Sequence, residues 1–93
     1  MSEPGQRLDI WLWRARFFKT RPEAAKLVSD KGVRIDRTGM VRKSNKPGAS
    51  VQIGDVLTFR KAGEVRTVRI LGLPERRGPA SEAQAHYLDE DAD

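Results

Sequence analysis

Cationic side chains dominate what this sequence could do chemically, and they are unevenly placed. Residues 7–46 hold twelve Lys/Arg against four Asp/Glu, a net charge of +8. Residues 47–77 carry +3 and residues 78–93 carry −5, so the whole-chain value of +5 hides a strongly basic first half. A folded segment with that excess favours a polyanion, through long-range steering and the release of condensed counterions. Its alternative is a solvated basic surface with no partner. Catalytic chemistry has far less to work with. There is no cysteine, which excludes a disulfide framework, thiol catalysis and any thiolate metal site. His86 is the one histidine, so a multi-histidine metal centre is excluded. No nucleophile stands with a base, no Gly-rich loop cradles a phosphate, and no metal ligands pair at helical spacing. The sequence points to a non-catalytic protein that needs no cofactor.

Ninety-three residues, 38% of them hydrophobic, make one domain with a modest core. No apolar run approaches the roughly 18–20 residues of a membrane span, and the N-terminus lacks a basic-then-apolar leader. The expected location is the cytoplasm.

The elements that must position the cations follow from periodicity. Residues 1–6 read as a loose lead-in. Leu8, Trp11, Leu12, Ala15 and Phe18 recur at helical spacing, with Ile10, Trp13 and Phe17 as a second stripe, so a helix is expected over 8–18. A helix apolar on two faces needs cover on both. Thr20 and Glu23 form a capping box that starts a second helix, Pro22 suits its first turn, and Gly32 suits its end. Beyond Gly32 the period becomes two. Val33–Asp36 reads as a half-buried strand, Arg37–Gly39 as a turn and Met40–Arg42 as a returning strand. Residues 43–50 form a basic loop, Gly54–Asp55 a turn, and Val56–Arg60 and Val65–Leu71 a hairpin closed by residues 61–64. Residues 76–79 are a loop. Ser81 should cap a short helix through Leu88, too short to stand alone in water, and the stripe of Ile10, Trp13 and Phe17 is its expected dock. An acidic, frayed tail over 89–93 completes the chain.

This order of elements carries a resemblance. Arg7-Leu8-Asp9, Leu12, Thr20-Arg21, Ala24, Leu27-Val28, Gly32-Val33, Ile35-Asp36 and Gly54-Asp55-Val56-Leu57 resemble the RNA-binding domain named after the fourth small-subunit ribosomal protein, the S-four or S4 domain. Within that superfamily, residues 9–21 and 76–83 look like the small bacterial ribosome-associated heat-shock proteins. Two departures stand out: Asp36-Arg37-Thr38-Gly39 replaces the usual Asn-Gly turn, and the chain ends acidic where those proteins carry a longer basic tail.

The resemblance implies an α+β fold with the alpha-L motif: two antiparallel helices packed on a small, mainly antiparallel sheet, with a short C-terminal helix. Residues 7–75 would form the RNA-binding domain and 76–93 its C-terminal appendage. The expected core is Leu8, Trp11, Leu12, Ala24, Leu27, Val28, Val33, Ile35, Val51, Val56, Leu57 and Val68. The resemblance further implies binding of structured RNA, specifically ribosomal RNA on the large subunit, in rescue of stalled subunits that carry a nascent chain on tRNA; a monomer is expected. No membrane is involved. The alternatives are an adaptor that brings another protein to RNA and a general nucleic-acid accessory protein.

RNA-contact roles then fall on Arg7, Arg14, Arg16, Lys19, Thr20, Arg21, Lys26, Lys31, Arg34, Lys43 and Lys46. Arg7 and Arg14 would share one seam of the first helix. Thr20 and Arg21 would open a phosphate site at the start of the second. Arginines should count for more than lysines, because a guanidinium forks onto phosphate or stacks on a base. Arg21 is expected to matter more than Arg60, which falls late, beside a hairpin turn. Trp11, Trp13, Phe17 and Phe18 read as core at helical spacing, with stacking platforms for bases as the alternative. Asp9 either pairs an arginine and aims it at RNA or merely favours the helix start. Gly54-Asp55 reads as turn chemistry alone. Arg76 and Arg77 either extend the RNA surface or neutralise the tail.

Overall fold

The computed structural model describes residues 5–90. Strand β1 (Gln6–Arg7) leads directly into helix α1 (Leu8–Arg14), and helix α2 (Arg21–Lys31) follows a six-residue turn. Strands β2 (Val33–Arg37) and β3 (Met40–Ser44) form a hairpin, β4 is Ser50–Val51, and β5 (Val56–Lys61) and β6 (Glu64–Ile70) form a second hairpin. Helix α3 (Ala80–Ala83), a 3-10 turn at Gln84–His86 and strand β7 (Tyr87–Asp89) are the last elements among the described residues. The main sheet runs β3-β2-β5-β6-β7, all antiparallel, and β1 pairs separately with β4. This is the expected α+β architecture, small and mainly antiparallel.

Local signals place α2 as the sequence suggests. The Thr20 hydroxyl accepts from the Glu23 backbone N–H at 3.2 Å, Pro22 sits in the first turn, and Gly32 takes a φ of 80° just past the end. Both hairpins turn on two residues with positive φ, Thr38-Gly39 and Ala62-Gly63. Such turns match the natural twist of paired strands. The departure from Asn-Gly therefore leaves the first hairpin at two turn residues.

Helix α1 is shorter than its periodicity implies. It ends at Arg14, and Arg16 adopts φ 69°. The Arg16 N–H then donates to the Trp13 carbonyl and the Phe17 N–H to the Leu12 carbonyl, each at 3.0 Å. That is the Schellman pattern of helix ends, with arginine where glycine is usual. The reversal turns Phe17 inward. It is 4% exposed and packs against Tyr87, Phe59 and Trp11, with ring centroids 4.6, 5.2 and 5.9 Å away.

The second stripe of α1 is therefore not a stripe, and the helix through Leu88 expected to dock on it does not form. Tyr87 and Leu88, expected in a helix, lie in β7 and pair with Ile70 and Arg69. Helix α3 spans four residues, with Pro79 at its N-cap and Ser81 inside it. Trp13 is covered by Arg77, whose guanidinium lies 5.8 Å from the ring centroid. The same side chain donates to the Trp13 and Phe18 carbonyls at 3.1 and 3.3 Å. Gln6, placed in the lead-in by the sequence reading, pairs with Val51; residues 1–4 lie outside the described residues. In the acidic tail, Asp89 and Glu90 bridge Arg66 and Arg69 at 2.7 Å, while 91–93 lie outside the described residues.

The core contains the expected residues except Leu27 and Val56, which are half-buried, and adds Ala15, Phe17, Phe59, Ile70 and Ala83. Asp55 does more than close a turn. Nearly fully buried, it accepts the Gln52 N–H at 2.9 Å and two bonds from Arg37, at 2.9 and 2.8 Å. This fork removes Arg37 from the free cations of the basic half.

Candidate nucleic-acid interface

The first cluster of cations is organised by one carboxylate. Asp9 lies in the first turn of α1 with its side chain 3% exposed. It accepts the Ile10 N–H at 2.8 Å and two bonds from Arg7, at 3.1 and 3.2 Å, and meets Arg21 at 3.5 Å. Arg7 and Arg21 themselves stay about half exposed. Each is thus held at its base while part of its guanidinium remains open to solvent. The start of α1 has no side-chain cap from Arg7; its first N–H groups donate to the carbonyls of Ala49 and Pro47, at 2.8 and 3.0 Å. That pairing lays the basic loop, with exposed Lys46, against the helix start. Gly48 lies beside the Arg7 guanidinium, where an added Cβ would sit 3.5 Å from it. Asp9 thus both pairs arginines and binds the helix start, joining the two roles its position allows.

Burial alone would push the Asp9 carboxyl up; the bonds and charge of Arg7, with the Ile10 N–H and the Arg21 charge, outweigh it and hold the group below its ordinary value. A carboxylate lowered in the fold contributes stability above its unfolded pKa of about 3.9, and that contribution disappears as pH falls through the lower folded value. Asp9→Asn should therefore cost about 1–2 kcal/mol at pH 7, in the range of hydrogen bonds to charged groups. The difference from wild type should shrink below about pH 4. Urea melts at pH 7 and pH 3 measure it; an equal difference at both pH values would contradict the assignment.

The other expected contact residues separate. Arg14 donates to the Pro74 carbonyl at 2.9 Å and Arg16 to that of Gly78, while the Trp11 indole donates to Gly72 at 2.9 Å. Together with Arg77 they clasp residues 72–78 along α1. That irregular segment has few strand partners, and arginine N–H groups satisfy its carbonyls. Arg7 and Arg14 consequently do not form one seam. Arg7 precedes the helix and turns to Asp9, whereas Arg14 turns to the clasp.

Nor is the start of α2 an open phosphate site. The Glu23 N–H is taken by Thr20, Pro22 has no N–H, and the Glu23 carboxylate accepts from the Thr20 hydroxyl at 3.2 Å. An anionic side chain already occupies the positive end of the helix. Lys26 bridges Asp30 at 2.6 Å on an exposed face. Lys19 is exposed in the α1–α2 turn, beside Lys61 at the rim of a hollow. Arg76 pairs with Glu82 at 3.1 Å, and Arg77 serves the clasp. Lys31, Arg34 and Lys43 gather at a different place, around a depression at one end of the sheet that Arg60 also lines. Sequence spacing gave Arg60 no such neighbours. Strand register creates them, since Arg34 pairs with Thr58, two residues before Arg60 on the same strand face.

Comparison with known proteins places the chain in a family. The S4 domain family model matches residues 6–57. Heat shock protein 15 of Escherichia coli is 40% identical over 81 residues, which is 87% of this chain and 57% of that protein. The heat shock protein 15 homolog of Haemophilus influenzae is 35% identical over 92 residues, 96% of this chain and 64% of that protein. The chain thus spans about three-fifths of the length of these curated relatives. The trimeric structure of Vibrio cholerae heat shock protein 15 superposes with a TM-score of 0.79 at 36% identity, over 95% of this chain and 84% of that one. By sequence over most of its length and by fold, this chain belongs to the S4 domain family and groups with its heat shock protein 15 members.

Proposed function

We propose that this protein binds structured RNA without catalysing a reaction, that it acts in the cytoplasm, and that its target is ribosomal RNA on the large ribosomal subunit. The observation that carries the reading is the pair Arg7 and Arg21, anchored on buried Asp9 beside the basic loop. Two guanidinium groups held at a fixed separation suit successive phosphates of a folded backbone, and leave base identity unread. Membership of the S4 domain family and similarity to small ribosomal subunit protein uS4 of Cupriavidus taiwanensis, 36% identical over 74 residues, support an RNA ligand. The finer role is rescue of stalled large subunits that carry a nascent chain on tRNA. It rests on similarity to the heat-shock relatives.

One chain is the proposed binding unit; the similar Vibrio cholerae structure is a trimer, and sedimentation decides between the two for this protein. If five to eight phosphates are contacted, log affinity should fall against log salt with a slope of about −4 to −7. Titration of labelled large-subunit ribosomal RNA at several salt concentrations measures this, with sedimentation of the free protein alongside. A slope near zero would refute the electrostatic account. Equal binding to duplex DNA of the same charge would favour a general accessory protein. Co-sedimentation with isolated large and small subunits tests the proposed target directly.

A further inference from the structure

Four cations from four elements meet where α2 passes into the sheet. Lys31 is the last residue of α2, Arg34 is on β2, Lys43 on β3 and Arg60 on β5, and they line one open depression of about 240 Å³. Arg34 faces Lys43 across one strand boundary and Thr58 across the other. Gly32 forms part of the wall. Its φ is +80°, and a Cβ there would stand 2.5 Å from Lys43 Cε. Glycine thus lets the lysine stem run close over the backbone. The Thr58 hydroxyl, 3.2 Å from that of Thr67, adds a polar group to the rim.

These four lack the carboxylate partners that seven other cations have. Arg7, Arg21, Lys26, Arg37, Arg66, Arg69 and Arg76 each bridge a carboxylate. Lys31, Arg34, Lys43 and Arg60 bridge none among the described residues. Like charges facing each other across strands destabilise a sheet, and a concavity focuses their potential. An anion entering the depression would relieve that repulsion. The depression is open, and its one aromatic wall residue, Phe59, is buried, so it offers no ring on which a base could stack. Its chemistry suits phosphate groups.

We propose that this depression is a second phosphate seat, which holds a stretch of RNA backbone separately from the arginine pair on Asp9. The inference rests on the RNA-binding reading above and deepens it. Thr58, Arg60 and Val65, which form one side of the seat, lie beyond the residues 6–57 matched by the family model.

Two measurements test it. In the first, affinity for labelled large-subunit ribosomal RNA is compared among wild type, Arg34→Gln with Arg60→Gln, and a control of equal charge loss, Arg69→Gln with Arg76→Gln. The seat variant should bind about tenfold more weakly at ~0.1 M salt, with a salt slope shallower by roughly 1–2. The control should stay within about twofold of wild type, since Arg69 and Arg76 belong neither to the seat nor to the Asp9 cluster. Thermal melts verify folding, and Lys31→Gln with Lys43→Gln replaces the seat variant if that one does not fold. Equal losses in seat and control variants would overturn the proposal while leaving RNA binding intact. In the second, wild type is titrated with inorganic pyrophosphate and backbone amide shifts are followed by NMR. Shifts should concentrate at Gly32, Arg34, Lys43 and Arg60. Absence of shifts there would overturn the seat whether or not RNA binds; wild type that binds no RNA but shows them would refute the RNA reading alone.

Discussion

Replacing Arg7 and Arg21 together by Gln should weaken binding of structured RNA about 10- to 100-fold at ~0.1 M salt. Each guanidinium that meets a phosphate at such a half-exposed, solvent-screened position contributes about 1 kcal/mol. Both side chains are about half exposed and share Asp9 as anchor, so they should act as a placed pair. The double change also leaves the Asp9 carboxylate buried, with the Ile10 N–H as its remaining hydrogen bond of those described above. Stability will fall too, and affinities must be read where the variant is folded. Adding Asp9→Asn to the pair removes that difficulty. This triple variant carries a net charge of +4, against +5 for wild type. If placement matters, it remains a weak binder despite the near-normal charge. If it binds like wild type in a fluorescence anisotropy titration, binding is diffuse and the Asp9 cluster is not a site.

Removing residues 79–93 should produce the largest loss of stability. The segment supplies β7, the outer strand beside β6, and Tyr87, which packs on Phe17 and meets Trp11 edge-on at 6.5 Å. Truncating a fully buried aromatic costs about 3–5 kcal/mol; Tyr87 is half-buried and contributes less, and the lost strand pairing and α3 contacts bring the total into that range. For a domain of this size that corresponds to a fall in Tm of ~12 °C or more. The deletion removes five acidic and no basic residues, so net charge rises from +5 to +10 and RNA affinity of the folded fraction should hold or increase. The uncovered aromatic surface and the unpaired edge of β6 should promote self-association. Calorimetry, light scattering and RNA titration on the same truncated protein check all three. Tyr87→Ala is the milder version, with the sheet kept and the ring contacts removed. An unchanged Tm in both would mean that the aromatic cluster is stable without its outer strand.

Local chemistry made much of this protein legible from its residues. Thr20, Pro22 and Gly32 delimit α2 because caps and turns act within a few residues of chain. Alternation of apolar and charged residues located β2, β5 and β6, and most of the core followed from periodicity. The α+β architecture and the concentration of charge in residues 7–46 were likewise readable in advance.

Contacts between distant parts of the chain decided the rest. The periodicity of residues 8–18 is compatible with one long helix. Phe17 instead turns inward to meet Phe59 and Tyr87, 42 and 70 residues away, and the helix stops at Arg14. Tyr87 and Leu88 have a weak local preference, and an open sheet edge recruits them as a strand. Long arginines are the least predictable of all, because their reach lets tertiary packing choose their partners. Arg14 and Arg16 hold the clasp over α1, Arg37 binds Asp55, and Arg7 and Arg21 share Asp9. The sequence by itself determined that the protein is basic, where its main helices and hairpins form, and which residues could meet an anion. Which of those cations remain free to do so depends on strand register and on carboxylates and carbonyls brought from elsewhere in the chain, and only the tertiary structure decides that.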